Sequence, residues 1–347
     1  MQGSTLEAFL ASHVTATGRS DVADVVKALA VAALKISKEI ELGPLGRASA
    51  DARGTFNPDG DVQRQLDVHA DEVFLEAVRH TPIAFFASEE QDAPIVLNRE
   101  ASLALAIDPL DGSSNIDANV SIGTIFSLLP ATTEAADTPA ASFLQPGRKQ
   151  VAAGFFIYGP QLALVLTLCS GTHGFIYSPR LGTFVQTHES ISVDRETREF
   201  SINASNYRHW EEAVRLYIDD CLKGEGGSRQ ANFNMRWIAS LVAESYRILM
   251  RGGVFLYPRD AREGYGNGRL RLVYEANPIA LIVEQAGGVA TDSVDRILDI
   301  EPTDLHQRVP LVFGSASEVE LIARYHTGAS CIGERAPLFG TRGLFRA

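Results

Sequence analysis

The apolar run Leu103-Ala104-Leu105-Ala106-Ile107 leads straight into Asp108-Pro109-Leu110-Asp111-Gly112-Ser113-Ser114-Asn115, and no other stretch restricts the fold as tightly. The run has the length and composition of a buried strand. Asp108 ends it, and Pro109 and Gly112 force a turn that returns Asp111 to the side of Asp108. Two carboxylates so placed repel unless a cation lies between them. Mg²⁺ suits the position, because it is hard, takes oxygen ligands and is usually held by a few carboxylates plus substrate phosphate. The backbone N–H groups of Gly112, Ser113 and Ser114, with two hydroxyls, form an anion-binding nest. A metal site joined to a phosphate cradle points to phosphoryl chemistry on a bound phosphate ester. Asp-Gly alone would mark a surface turn; the whole octapeptide at a strand end is far more specific.

A second apolar run, Ile83-Ala84-Phe85-Phe86-Ala87, stops at Ser88-Glu89-Glu90. If these two strands are neighbours in one sheet, Glu89 falls beside Asp108. Glu275 follows a third run, Leu270-Arg271-Leu272-Val273-Tyr274, read as another strand end. The set Glu89, Asp108, Asp111 and Glu275 is read as lacking a basic partner.

The rest of the chain supplies a large core. Of 347 residues 45% are hydrophobic, and the length suggests about two domains. The formal charge of −12 argues against non-specific nucleic-acid binding, which needs basic surface. Cys169, Cys221 and Cys331 are far apart, so neither a disulfide framework nor a structural zinc site is supported. The N-terminus lacks a secretory signal, and Gly154, Gly159 and Pro160 divide the apolar stretch 151–168 into two strands rather than a membrane span. A cytoplasmic enzyme is expected.

Helical spacing runs from 20 to 40, capped by Ser20 and stopped by Gly43-Pro44. A Gly/Asn/Asp-rich loop is expected at 51–60, a helix from 61 or 62 to about 78, and an exposed connection at 131–149. Further helices are expected at 210–222, 236–250, 277–286 and 317–325, with strands at 121–129, between 151 and 185, and at 253–257 and 309–313. Strands and helices alternating singly and in runs suggest a layered α/β or α+β sandwich. A soft boundary near 193–200 divides residues 1–192, carrying the metal/phosphate motif and an allosteric region, from 193–347, which bind the sugar phosphate.

The octapeptide resembles a motif of class 1 fructose-1,6-bisphosphatases. Asn115-Ile116-Asp117, Gly123-Thr124-Ile125-Phe126, Gln145-Pro146-Gly147-Arg148, Val151-Ala152-Ala153-Gly154, Phe255-Leu256-Tyr257-Pro258, Tyr274-Glu275-Ala276-Asn277-Pro278 and the segment from Pro302 to Arg308 resemble that family too, in its order, from about residue 17 to 325. The resemblance implies an α-β-α-β-α sandwich and hydrolysis of fructose 1,6-bisphosphate to fructose 6-phosphate and phosphate. It implies two or three Mg²⁺ ions, with Mn²⁺ as a substitute, held by Glu89, Asp108, Asp111, Glu275 and the Leu110 carbonyl. Asp67 and Glu90 match acids that deprotonate the attacking water, and Asp61 matches a loop acid that engages the site on closure. Asp111, Gly112, Ser113 and Ser114 match the reacting-phosphate site. Asn203, Arg236, Tyr257 and Arg269 match the pocket for the other phosphate. Arg236, read as opening the helix 236–250, reaches a neighbouring subunit of a homotetramer in that family. No nucleic-acid or membrane partner is implied.

Some positions depart from the family pattern. Trp237 stands where Tyr is frequent, and Arg269 where Lys is common. The segment Asn203-Ala204-Ser205-Asn206-Tyr207 is one residue longer than in vertebrates, so no role is carried to Tyr207. At the AMP site of many class 1 enzymes, Ser102-Leu103 replaces Lys-Tyr and Pro130 replaces an arginine. Activity on sedoheptulose 1,7-bisphosphate stays open, as does the choice between gluconeogenesis and carbon fixation. Two rivals remain: an inositol-phosphate or 3′-phosphonucleotide phosphatase of the same superfamily, and a catalytically silent sugar-phosphate sensor. The segments around Asn203, Arg236 and Glu275 argue against the first. The intact ligand set argues against the second.

Overall fold

The computed structural model describes residues 3–50, 61–132 and 138–328, with the side chains of 44–50 and 61–65 outside that description. Three helices open the chain: α1 (Leu6–Thr17), α2 (Ser20–Ala50) and α3 (Asp61–Val78). Helical geometry in α2 breaks at Gly43 (φ 50, ψ −140), the position of the Gly43-Pro44 stop. The apolar spacing of Val22, Val25, Val26, Leu29, Ala33 and Ile36 puts all six on the buried face. The expected loop at 51–60 lies outside the described residues.

Next come β1 (Ile83–Ser88), β2 (Ile95–Val96), β3 (Leu103–Asp111), β4 (Ile122–Pro130), β5 (Ala152–Tyr158), β6 (Leu162–Thr167), β7 (Thr172–Ser178) and β8 (Thr183–Ile191). They form one sheet in the order β2-β1-β3-β4-β5-β6-β7-β8. Only β1 and β3 pair in parallel. The stretch 151–168 is the antiparallel pair β5–β6, as expected. The connection before it differs from expectation: Ser142 and Phe143 are buried, and Gln150 donates to the carbonyls of Gly147 and Asn277 at 2.8 and 3.0 Å. The apolar Phe143 and the paired amide hold this segment to the body.

The remainder comprises β9 (Glu199–Ser201), α4 (Glu212–Leu222), β10 (Asn234–Met235), α5 (Leu241–Arg251), β11 (Val254–Tyr257), β12 (Leu270–Arg271), α6 (Asn277–Gln285), β13 (Val289–Thr291), β14 (Arg308–Val309), β15 (Leu311–Gly314) and α7 (Ala316–Thr327). A second sheet has the order β10-β9-β11-β15-β13, and β12 pairs with β14 alone.

Two expectations are corrected here. The helix expected at 236–250 starts at Leu241, so Arg236 lies in the segment between β10 and α5. Ala239 takes a left-handed φ of 63, and Ser240 caps α5 by accepting from the Ala243 N–H. The run 270–274 is a strand only at 270–271, and Leu272–Ala276 forms one π-helical turn that leads into α6.

Alternation along the strands sorts the core into layers. Phe86, Leu105, Phe126 and Phe156 face α1–α3. Ile125, Phe155 and Val165 face the other way, onto α5 and α6, which also cover Phe255, Leu311 and Phe313 of the second sheet. The far face of that sheet, with Phe200, Leu256 and Val312, packs on Val214 and Tyr217 of α4 and Val319 and Ile322 of α7. The result is the expected α-β-α-β-α sandwich. Among the described residues no helix is long and apolar enough to cross a membrane.

Candidate active site

Parallel pairing of β1 with β3 sets Ser88 opposite Ile107, and the Glu89 N–H donates to the Ile107 carbonyl at 3.0 Å. Glu89 therefore leaves its strand beside Asp108, as the two acidic strand ends suggested. Glu275 arrives from the π-helical turn. One carboxylate oxygen from each of Glu89, Asp108 and Glu275 lies within 4.8 Å of the others. Asp108 and Glu275 are buried, at 5% and 7% exposure. π-turns inside helices frequently mark functional sites, and this one carries a ligand candidate.

The strand does not end at Asp108. β3 continues to Asp111 through a bulge, with Asp108 opposite Ile125 but Asp111 opposite Gly123. The bulge re-aims both acids. The Thr124 hydroxyl secures it, donating to the Pro109 carbonyl at 2.8 Å with Tyr158 Oη at 2.7 Å. Gly123 is needed for space, since a Cβ there would meet the Phe156 carbonyl oxygen at 2.1 Å and Val242 Cγ2 at 2.8 Å. The Gly-Thr-Ile-Phe motif is thus a mount for the acidic turn.

Asp111 stands outside the close trio. It accepts the Val242 N–H at 3.1 Å and so caps the first turn of α5. Gly112 then turns with φ 77, and Ser113–Asn115 form a short 3-10 turn. The Asn115 side-chain amide donates to the Ala239 carbonyl at 2.7 Å, tying the phosphate turn to the segment that carries Arg236.

Negative charge in this site is only partly compensated. Burial, then the charges of Glu89, Asp111 and Glu275, pushes the Asp108 carboxyl well above the ordinary carboxylate range. Burial and the charges of Glu89 and Asp111 do the same to Glu275. Burial also pushes Asp111 up to about 7 against the hydrogen bond from Val242. The site therefore binds positive charge, as protons or as a cation. A hard cation fits these all-oxygen donors. One basic group was missed: Arg271 Nη2 lies 3.3 Å from Glu89 Oε1. Its signal was a lone cation within an apolar run, four residues before Glu275.

Asp67, on α3, faces the cluster. Burial raises its carboxyl to about 6, opposed by a hydrogen bond from Ser113 and reinforced by Glu89. Glu90 is raised too, by burial and then by Asp67, Glu89 and Asp71. The two acids come from different elements, Asp67 from α3 and Glu90 from the end of β1, and the Asp67 charge helps to raise Glu90. Asp61 begins α3, but its side chain lies outside the described residues.

Of the remaining candidates, Asn203 and Tyr257 share one pocket, while Arg236 lies beside Glu199 of β9 and Arg269 beside Tyr265 in the loop after β11. Asn203 and Tyr257 line a small surface pocket with Ile202, Trp210, Pro258 and Asp260. Trp237 lies over Tyr257 with ring centroids 6.3 Å apart. Arg269 is exposed and sits 4.8 Å from the Tyr265 ring centroid, with Arg262 at 4.1 Å from the same ring. Tyr265 was not foreseen, because stacking across a Gly-rich loop leaves no periodic signal. Arg236 is exposed and donates from Nε to Glu199 at 3.3 Å.

Comparison with known proteins agrees with this geometry. Residues 4–189 match the family described as Fructose-1-6-bisphosphatase, N-terminal domain, and residues 193–327 match its C-terminal domain. The chain is 62% identical over 350 residues to the Fructose-1,6-bisphosphatase class 1 of Rhizobium meliloti (strain 1021), covering 100% of both. It is 61% identical over 349 residues to that of Sinorhizobium medicae (strain WSM419), again covering 100% of both. The crystal structure of Leishmania major fructose-1,6-bisphosphatase in holo form is 33% identical, with a TM-score of 0.83, over 94% of this chain and 100% of that one. Matched over both domains and along its whole length, this chain belongs to the class 1 fructose-1,6-bisphosphatase family.

Proposed function

We propose that this chain hydrolyses the 1-phosphate of fructose 1,6-bisphosphate, with water as the nucleophile. The observation that carries the reading is the trio of half-buried Glu89 and buried Asp108 and Glu275, followed in the chain by the turn Gly112-Ser113-Ser114. The family is metal-dependent, and the donors here suit Mg²⁺: two or three ions, with Mn²⁺ as a substitute. Glu89, Asp108, Asp111, Glu275 and the Leu110 carbonyl would hold them. When bound, they neutralise the phosphate and make the attacking water more acidic. The N–H groups and hydroxyls of 112–114 orient the reacting phosphate. Asp67, its carboxyl raised to about 6, and Glu90, raised by burial and by neighbouring carboxylates, help to accept the proton of the water. Asp61 takes the role of the family's loop acid, which joins the catalytic site. On this reading residues 1–192 supply the chemistry and 193–347 the grip on the sugar phosphate.

Asn203, Arg236, Tyr257 and Arg269 bind the phosphate that does not react, and Arg236 serves a neighbouring subunit of a homotetramer. Guanidinium groups suit this task because their paired N–H groups match phosphate oxygens. Arg236→Ala is expected to raise KM by about tenfold or more while leaving kcat within about threefold, as loss of uniform binding requires. Steady-state kinetics checks this. Hybrid oligomers of Arg236→Ala and Asp111→Ala subunits regain activity if Arg236 acts in trans; no recovery in verified hybrids contradicts it.

The raised carboxyls also set a pH signature. The folded Asp111 binds its proton at about 7 against 3.8 for an ordinary aspartate. Its contribution to stability is fully present below the unfolded value and is lost as pH rises through about 7. The metal-free chain is therefore expected to melt at lower temperature at about pH 8 than at about pH 5.5, and saturating Mg²⁺ to narrow that difference. Calorimetry in EDTA and in Mg²⁺ tests this; a metal-free chain that melts higher at pH 8 contradicts it.

A further inference from the structure

We propose that Glu199 is a positioning residue for substrate binding: it grips the Arg236 guanidinium at Nε and leaves the terminal nitrogens turned out for a phosphate. The inference rests on the assignment of Arg236 to the non-reacting phosphate.

Strand register sets up the contact. β10 pairs in parallel with β9, with Asn234 opposite Glu199 and Met235 opposite Phe200. The Arg236 N–H then donates to the Phe200 carbonyl at 2.8 Å, which fixes the backbone at the last paired position. Beyond it the chain belongs to no helix or strand until α5, and an exposed arginine there would sample many rotamers. Glu199 Oε1 instead accepts from Arg236 Nε at 3.3 Å, while the Arg236 side chain stays 47% exposed. An arginine held at Nε still presents the Nη1/Nη2 fork that matches a phosphate.

Glu199 is itself held from behind. Its side chain is 14% exposed, and Oε2 accepts from Arg247 Nη1 at 2.8 Å. Arg247 donates from Nε to Glu244 at 3.1 Å, and the other oxygen of the fully buried Glu244 accepts the Ile238 N–H at 2.7 Å. One relay, Glu244–Arg247–Glu199, thus fixes both the backbone at 238 and the side chain at 236. Arg251 Nη2 adds a third guanidinium 3.5 Å from Glu199 Oε1. Three arginines face two carboxylates, so Glu199 does not cancel the local positive charge that a phosphate needs. Ordering Arg236 before substrate arrives lowers the entropy lost on binding.

A double-mutant cycle in fructose 1,6-bisphosphate kinetics tests the inference. Glu199→Gln is expected to raise KM by about threefold to tenfold, with kcat little changed, and to add nothing in the Arg236→Ala background. Because Glu199→Gln also weakens the tie to Arg247, Glu199→Asp serves as a second variant. It keeps the negative charge opposite Arg247 but shortens the reach to Arg236, and it is expected to raise KM in the same direction. An unchanged KM in both variants overturns the proposal. So does an equal rise in wild-type and Arg236→Ala backgrounds, which would mark a purely structural role. If Arg236→Ala itself leaves KM unchanged, the phosphate assignment fails first and the positioning role falls with it.

Discussion

Asp111→Ala lowers turnover by about three powers of ten or more, and excess EDTA abolishes turnover in the unaltered chain. The size follows from the site. Buried carboxylates gather there with only Arg271 recorded against them among the described residues, and metals would carry most of the charge stabilisation for phosphoryl transfer. Asp111 has a second task, because its carboxylate accepts the Val242 N–H at the start of α5. Alanine removes this hydrogen bond as well as the ligand, while Ser240 still caps α5, and a lost hydrogen bond costs about 0.5–1.5 kcal/mol of stability. Asp111→Asn separates the two effects. Its amide oxygen still accepts from Val242 but brings no charge to a cation. In EDTA it is therefore expected to melt no lower than the unaltered protein, and with Mg²⁺ to turn over as poorly as the alanine variant. Phosphate release and calorimetry on both variants check this. Near-normal turnover of Asp111→Asn, or substantial activity in EDTA, contradicts the role.

AMP at low millimolar concentration barely inhibits the Mg²⁺-saturated enzyme. Leu103 and Pro130 are paired neighbours on β3 and β4, so the positions that match a nucleotide-binding Lys-Tyr and arginine do lie together. What they present is a fully buried leucine, a proline ring without an N–H, and the hydroxyl of Ser102. That hydroxyl already donates to Asp21 Oδ2 at 2.9 Å, and Arg19 grips the same carboxylate at 2.9 and 3.0 Å. An acid thus sits where an anion would be received, and a cation that could substitute is engaged with it. Two lost hydrogen bonds to a charged phosphate, at roughly 1.5–3 kcal/mol each, weaken binding by about a hundredfold or more. An AMP titration checks this, and half-inhibition in the micromolar range contradicts it.

A layered sandwich and the meeting of Glu89 with Asp108 were legible from local pattern, whereas the α-β-α-β-α layer order came from the family resemblance. Two apolar runs of like length each end in acid, and parallel pairing of their strands is enough to bring those acids together. The bulge at Pro109-Leu110 was not legible as a bulge. Pro and Gly signal a change of direction, but whether a strand turns or bulges depends on the Thr124 contact from the neighbouring strand. The start of α5 was misplaced because Trp237 and Ile238 keep helical apolar spacing. A buried glutamate six residues on takes the Ile238 N–H instead, and no local periodicity reports that. Glu275 was found for the right residue type on the wrong element. A π-turn reads like a short strand when Leu272, Val273 and Tyr274 are all apolar. Arg271 and Tyr265 matter through contacts with distant or looped-back residues, which spacing does not encode.

Phosphate release by the purified chain from fructose 1,6-bisphosphate, sedoheptulose 1,7-bisphosphate and inositol monophosphates, each with Mg²⁺ and with EDTA, tests the central claim most directly. Fructose 1,6-bisphosphate is expected to give the highest kcat/KM, with release confined to the samples containing Mg²⁺. A higher kcat/KM on inositol monophosphates, or release from fructose 1,6-bisphosphate that persists in EDTA, would contradict it.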